Sequence, residues 1–132
     1  AANGQLLSRV VPLTSAQILA LSATPVALVP SPGTGKCNIV DNISFKMVTT
    51  ATVYANGGAL EFRYTDGSGT KVTADIAAGV VTAAAATSFT NVRGIEASLT
   101  GTAAAAIIIT NATAPFITGT GTAVVYVAYH VC

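Results

Sequence analysis

The chain has 132 residues, 52% hydrophobic and only 8% charged, and six Lys+Arg against five Asp+Glu leave a net charge of +1. That length suits one domain with a self-supporting core, and such apolar content excludes a disordered chain. The cations, spread from Arg9 to Arg93, form no basic stripe for nucleic acid, and the longest apolar run, the seven residues Ala103 to Ile109, is too short for a membrane-spanning helix of about 20 residues.

In chain order, residues 1–13 stand apart. Leu6, Leu7, Val10, Val11 and Leu13 are apolar without a clean period, as in an N-terminal arm lying on a partner or in an edge strand. The domain division expected from this is an arm at 1–13 and a β domain at 14–132. No positively charged leader with a long apolar stretch follows Ala1, so synthesis in the cytoplasm is expected. Ala16 to Leu21 and Val26 to Val29 are short apolar runs split by Thr24-Pro25. Prolines at both ends of Val26–Val29 mark it as an edge or sheet-switching strand.

The middle of the chain alternates. Phe45, Met47 and Val53 share one face, and Ser44, Lys46, Thr50 and Thr52 the other; Leu60, Phe62 and Tyr64 then oppose Glu61 and Arg63. Alternation of this kind is the signature of half-buried strands. Ala55-Asn56-Gly57-Gly58 offers the positive φ values of a hairpin turn, and Asp66-Gly67-Ser68-Gly69 offers a second before Lys71 to Ile76. Residues 44–76 therefore predict a three-strand meander.

Ala77 to Ser88 carries conflicting signals. Its alanines suit a helix, while Gly79 and Val80-Val81-Thr82 favour strand or loop. Ala105 to Thr110 and Ala123 to Val131 are apolar on both faces, as in strands buried between layers or covered by a neighbour. Phe116 to Gly121 reads as a loop. With no convincing helix and turn signals throughout, the pattern predicts an all-β, single-domain antiparallel β-sandwich, jelly-roll-like, of about eight to nine strands.

The chemistry-bearing residues are sparse. Pro32-Gly33-Thr34-Gly35-Lys36 looks superficially like a phosphate-binding loop. Pro30 stands where the first glycine belongs, Cys37 where the hydroxyl belongs, and a strand-like Asn38-Ile39-Val40 follows. A glycine-rich turn is the better reading. His130 is the one histidine, and it reads as a surface or interface residue. Asp66 reads as a turn residue bonding the backbone that follows it, and Glu61 with Arg63 as a strand-face charge pair. No Cys/His cluster or oxygen-rich loop predicts a metal, no cofactor is implied, and no catalytic constellation predicts an enzyme. Cys37 and Cys132 could form one disulfide, but disulfide scaffolds usually carry more cysteines, and one buried thiol and one tail thiol is the favoured reading. The sequons at Asn42 and Asn111 read as chance in a threonine-rich chain. Tyr54, Tyr64, Tyr126 and Tyr129 read as core or interface residues.

Three groups of segments carry a resemblance. They are Ala16-Gln17-Ile18-Leu19-Ala20-Leu21-Ser22-Ala23-Thr24-Pro25-Val26 with Leu28-Val29-Pro30 and Pro32 to Lys36; Tyr54-Ala55-Asn56-Gly57-Gly58-Ala59-Leu60 with Phe62-Arg63-Tyr64; and Phe116-Ile117-Thr118-Gly119-Thr120-Gly121-Thr122 with Val125 to Tyr129. In this order they resemble small all-β virion structural proteins of tailed bacteriophages, some of which are head decoration, or cement, proteins. The resemblance implies a non-catalytic protein on the outer capsid surface of the virion. Its partners would be the major capsid protein and further copies of itself, a trimer before a dimer. It carries over no site residue. A tail- or fibre-associated module binding host-surface glycan is the alternative it leaves open.

Low charge fits the first role, because charged groups are costly to bury against a partner. The expected interface residues are Leu6, Leu7, Val10 and Val11 from the first segment, and Tyr126 and His130 from the last strand.

Overall fold

The computed structural model describes residues 6–48, 50–82, 88–94, 104–111 and 114–131. Among them lie nine strands: β1 (Leu6–Leu13), β2 (Val26–Val29), β3 (Asn38–Val48), β4 (Ala55–Asn56), β5 (Leu60–Tyr64), β6 (Ser88–Arg93), β7 (Ile107–Asn111), β8 (Phe116–Ile117) and β9 (Thr122–Val131). Two short helical segments, α1 (Ser15–Leu19) and the single turn α2 (Gly79–Thr82), complete the described elements. All strand pairs are antiparallel: a four-stranded sheet in the order β1-β9-β3-β6, a three-stranded sheet β2-β7-β5, and a two-stranded ribbon β4-β8. The all-β sandwich read from the alternation is the observed fold.

The core is one cluster drawn from both main sheets. Val40, Ile43, Phe45 and Met47 of β3 and Val125 and Val127 of β9 share it with Leu28 of β2, Phe62 and Tyr64 of β5, and Ile107 and Ile109 of β7. Burying such side chains stabilises a fold by roughly 1.5–3 kcal/mol each. β7, apolar on both faces in the sequence, is buried at all five residues. Its Thr110 hydroxyl donates to the Leu21 carbonyl at 3.0 Å, so the one polar group on its outer side is satisfied. β2 is an edge strand, as its flanking prolines require.

Three sequence expectations need correction. The meander fails at its first turn, because β3 and β5 lie in different sheets. Asn56, Gly57 and Gly58 do take positive φ (61°, 85° and 74°), but they swing the chain from β4 out toward the second sheet. The second turn holds: Val72 N–H donates to Phe62 O at 2.8 Å, and Leu60 and Ile76 exchange backbone bonds at 2.9 and 3.0 Å. The expectation of no convincing helix fails at Ser15–Leu19, where the apolar run from Ala16 begins and α1 forms. Thr14 Oγ1 accepts from Gln17 N–H, and the Gln17 side chain accepts from Thr14 N–H, a capping box that nucleates the turn. Finally, Cys37 is disulfide-bonded, not a free thiol; Cys132 lies outside the described residues.

Residues Leu6–Leu13 form β1, paired residue by residue with β9 from Leu6↔His130 to Leu13↔Ala123. Arg9 Nε, at the sheet margin, donates to Leu28 O on β2 at 2.8 Å and ties the edges of the two sheets together. Phe116–Ile117, read as loop, pairs with Ala55–Asn56. Part of the Ala77–Ser88 run, residues 83–87, lies outside the described residues.

Candidate contact surface

Strand alternation decides which side chains the four-stranded sheet turns outward. On β1 the odd residues face the core: Leu13 is buried, and Leu7 and Val11 pack against the core cluster. Ser8, Val10 and Pro12 are exposed. On β9, Ala123, Val125, Val127 and Tyr129 are buried, while Val124 and Ala128 are half-buried and Tyr126 is exposed. The sequence reading of β9 as apolar on both faces is therefore correct, yet only one of the faces is covered within the chain.

Register aligns these outward residues into rows. Val10 opposes Tyr126, which opposes Ser44, which opposes Asn91. The next row runs Pro12, Val124, Lys46, Phe89, and the row on the other side Ser8, Ala128, Asn42, Arg93. Val10 is 62% exposed, Phe89 72% and Tyr126 40%. Lys46 Nζ lies 5.7 Å from the Phe89 ring centroid, a cation–π contact that leaves the ammonium available to solvent or to a partner. A shallow groove of about 190 Å³ crosses the face between Val10, Asn42, Ser44 and Tyr126. Asn42 Oδ1, buried beneath it, has no hydrogen-bond partner.

Of the residues singled out from the sequence, Val10 and Tyr126 meet on this surface. Leu7 and Val11 belong to the opposite face of the same strand. Leu6 pairs with His130 at the strand end. His130 Nδ1 lies 3.0 Å from Asp41 Oδ2, at the bulge where β3 slips register between Val40 and Asn42. Phe89, the most exposed large apolar side chain among the described residues, was missed: it follows an alanine-rich run that hides the start of β6. Its alternation with Thr90 and Val92 is the signal that marks it.

The remaining polar groups are structural. Glu61, 7% exposed, receives Arg63 Nε at 2.9 Å and Lys71 Nζ at 3.4 Å. The Arg63 hydrogen bond leads in holding its carboxyl below the ordinary carboxylate range, against the opposing effect of burial. An acid catalyst at neutral pH needs the reverse shift. Lys71 also bonds Asp75 at 3.0 Å, which with Glu61 raises its own pKa. Asp66 Oδ1 accepts from Ser68 N–H at 2.8 Å, the turn role read from the sequence. The Pro30–Lys36 loop closes on itself, with Lys36 N–H donating to Gly33 O and Gly33 N–H to Ser31 Oγ; β3 follows it, not a phosphate-binding helix. Asn111 of the second sequon is buried, its Nδ2 donating to Gly57 O and Ala114 O. Tyr54, Tyr64 and Tyr129 are core residues. Among the described residues no three His, Cys, Asp or Glu side chains gather in a way that could hold a metal ion, and no helix is long and apolar enough to cross a membrane.

What fold and surface define together is a β-sandwich with one sheet face of mixed apolar and polar residues that leaves Val10, Tyr126 and Phe89 exposed. No family model matches the chain, and no curated protein matches it. Among solved structures it is similar to a chain of the "Cyanophage Pam1 capsid asymmetric unit", at 15% identity and a TM-score of 0.49 over 98% of this chain and 91% of that one.

Proposed function

We propose that this chain is a bacteriophage head decoration protein: it binds the outer surface of the capsid shell and reinforces it through oligomeric, non-catalytic contacts. The observation that carries this reading is the outer face of β9. An internal strand of a sheet, apolar on both sides, leaves Tyr126 exposed and Val124 and Ala128 half-buried on its outer side. Exposed aromatic and aliphatic side chains gathered on one face of a small domain support a surface that a partner covers. The low charge supports the same reading, since threonine- and alanine-rich faces pack against a lattice with little desolvation cost. So does the resemblance of residues 16–36, 54–64 and 116–129 to small virion structural proteins.

The partners in this reading are the major capsid protein and further copies of the chain, with a trimer favoured. Oligomers fit because several modest contacts held on one body bind with avidity. Imaging particles assembled with and without the protein tests the reading directly. Density on the outside of the head, lost when the protein is omitted, is the expected result. Particles with an unchanged head and altered tail density would overturn it, and a hit for the isolated protein on a glycan array would then favour the fibre-module alternative.

A further inference from the structure

The three central rows on the outward face of the four-stranded sheet bear charge of one sign, and the one carboxylate beside them among the described residues, Asp41, lies at the bulge with His130. These rows contain Lys46 and Arg93 and no carboxylate. Neither cation has an ion-pair partner among the described residues; Lys46 has only the Phe89 ring. The described carboxylates are engaged elsewhere. Glu61 and Asp75 hold Arg63 and Lys71, Asp41 holds His130, and Asp66 binds its own turn.

We infer that this face docks on a different protein, at a surface that presents apolar side chains beside two carboxylates. Within the decoration reading, on which this inference rests, that surface belongs to the shell subunit and not to a second copy of the chain. Two copies meeting face to face would bring only cations into a contact of low dielectric, where like charges repel and unpaired charges are costly. Another patch of the same chain is a poor receiver too: among the described acids Glu61 and Asp75 already hold cations, Asp41 holds His130, and Asp66 is tied to its own turn. A surface with free carboxylates satisfies both cations and leaves the β1–β9 side of the face, with Val10, Pro12, Val124 and Tyr126, to be desolvated against apolar groups, while Phe89 stands beyond Lys46 at the β6 edge. Buried aromatic anchors of this kind contribute most to binding.

Strand geometry sets the spacing. Lys46 and Arg93 lie on adjacent strands, four residues apart in register, so their backbone positions are about 14 Å apart. The receiving carboxylates are spaced to match. The face itself covers about 400 Å² on the same strand spacings, half of the roughly 800 Å² that each partner contributes to a standard interface. A single copy therefore holds weakly, and occupancy depends on salt and on multivalent attachment.

The test uses heads from a phage lacking this protein, incubated with the purified full chain, with copies per head counted by gel densitometry. The double variant Lys46→Glu/Arg93→Glu and the double variant Phe89→Ser/Tyr126→Ser are compared with wild type between 50 and 500 mM NaCl. Lys36→Glu, on the Pro30–Lys36 loop, controls for net charge. Arg93, Phe89, Tyr126 and Lys36 are exposed and Lys46 is half-buried on the outer face, so the fold persists, checked by circular dichroism and light scattering. Wild-type and Lys36→Glu occupancy is expected to match and to fall at least tenfold across the salt series, and both double variants are expected to lose at least tenfold at low salt. Double variants that bind like wild type overturn the inference while leaving the decoration reading intact. Loss of the oligomer in the charge variant also overturns it, by making the face a self-contact. Heads that take up no wild-type protein overturn both.

Discussion

Val10 and Tyr126 stand opposite each other on β1 and β9, and both project away from the core. One residue on, Val11 opposes Val125 and packs inward. The two valines are chemically identical and adjacent, so they separate surface from core with little else changed. Val10→Thr is expected to leave the unfolding free energy within about 0.5 kcal/mol, as surface substitutions do. Val11→Ala is expected to cost about 1 kcal/mol through lost packing. Urea unfolding of the two variants, followed by circular dichroism, gives both numbers. Equal costs would mean that β1 does not present these residues to opposite sides.

The sequence made the strands readable and left their partners hidden. Leu60, Phe62 and Tyr64 alternate because one side of β5 meets the core, and a period of two is a local property. Whether β3 pairs with β5 or with β6 and β9 is decided by contacts many residues apart, which no local turn signal encodes. Asn56-Gly57 shows the limit: its positive φ was legible, yet the same conformation serves a hairpin and a crossing between sheets. The Thr14/Gln17 capping box stands in the sequence but was not read from it, and in the structure it starts a helix over the apolar run that follows. On the contact surface, the first segment has no clean period in the sequence, and only its pairing as β1 separates Val10 from Leu7 and Val11. What no local pattern reveals is that Val10, Tyr126, Lys46 and Phe89 come from four strands and share neighbouring rows.

Two of the segments that carry the family resemblance meet in space for a packing reason. The Tyr54 and Phe116 rings stand edge to face at 6.1 Å, and the Tyr54 hydroxyl donates to Gly121 O at 2.5 Å. Gly57 and Gly119 lie flat against these rings: an added Cβ would sit 2.2 Å from the Phe116 ring at position 57 and 2.2 Å from the Tyr54 ring at 119. Gly57 also holds φ at 85°, where a side chain is strained. Gly57→Ala is expected to destabilise by about 2–4 kcal/mol, the larger effect, and Gly119→Ala by about 1–3 kcal/mol from overpacking alone. Thermal unfolding with both variants in one buffer checks the order.

The Tyr64 hydroxyl donates to Asn38 O at 2.6 Å in the core, bridging β5 to the start of β3. Burial pushes this phenol's pKa up, so it stays a neutral donor throughout the physiological range. Tyr64→Phe keeps the ring and leaves the Asn38 carbonyl short of one donor. A loss of about 1–3 kcal/mol is expected, the cost of an unsatisfied buried acceptor. Denaturant unfolding reads it, and an unchanged midpoint would mean that the bond contributes no net stability.

Glu61 makes stability depend on acid. Its carboxyl is held below the unfolded value of 4.5, first by the Arg63 hydrogen bond. A lowered folded pKa means that the unfolded chain binds the proton first as pH falls. The contribution is therefore complete above about pH 4.5 and is lost as pH drops through the folded value. Glu61→Gln is expected to cost about 1–3 kcal/mol at pH 7 and to flatten the fall in stability below pH 4.5. Unfolding midpoints for wild type and variant between pH 7 and pH 3 are the measurement. Parallel acid limbs for the two proteins would show that another carboxylate governs the acid transition.

Cys37 sits at the entry to β3, 6% exposed and disulfide-bonded. Thiol titration of the unfolded, unreduced protein is expected to find no free thiol, and two per chain after reduction. Peptide mapping is expected to recover the chain's two cysteines as one cross-linked species. A disulfide typically contributes about 2–4 kcal/mol, largely by restricting the unfolded chain. Reduction, or Cys37→Ser, should lower the unfolding midpoint accordingly while leaving the far-ultraviolet spectrum unchanged at low temperature, because the inner face of β3 holds Val40, Ile43, Phe45 and Met47 in the core without it. A reduced protein that unfolds outright would show that the apolar core alone does not outweigh the entropy of the open chain.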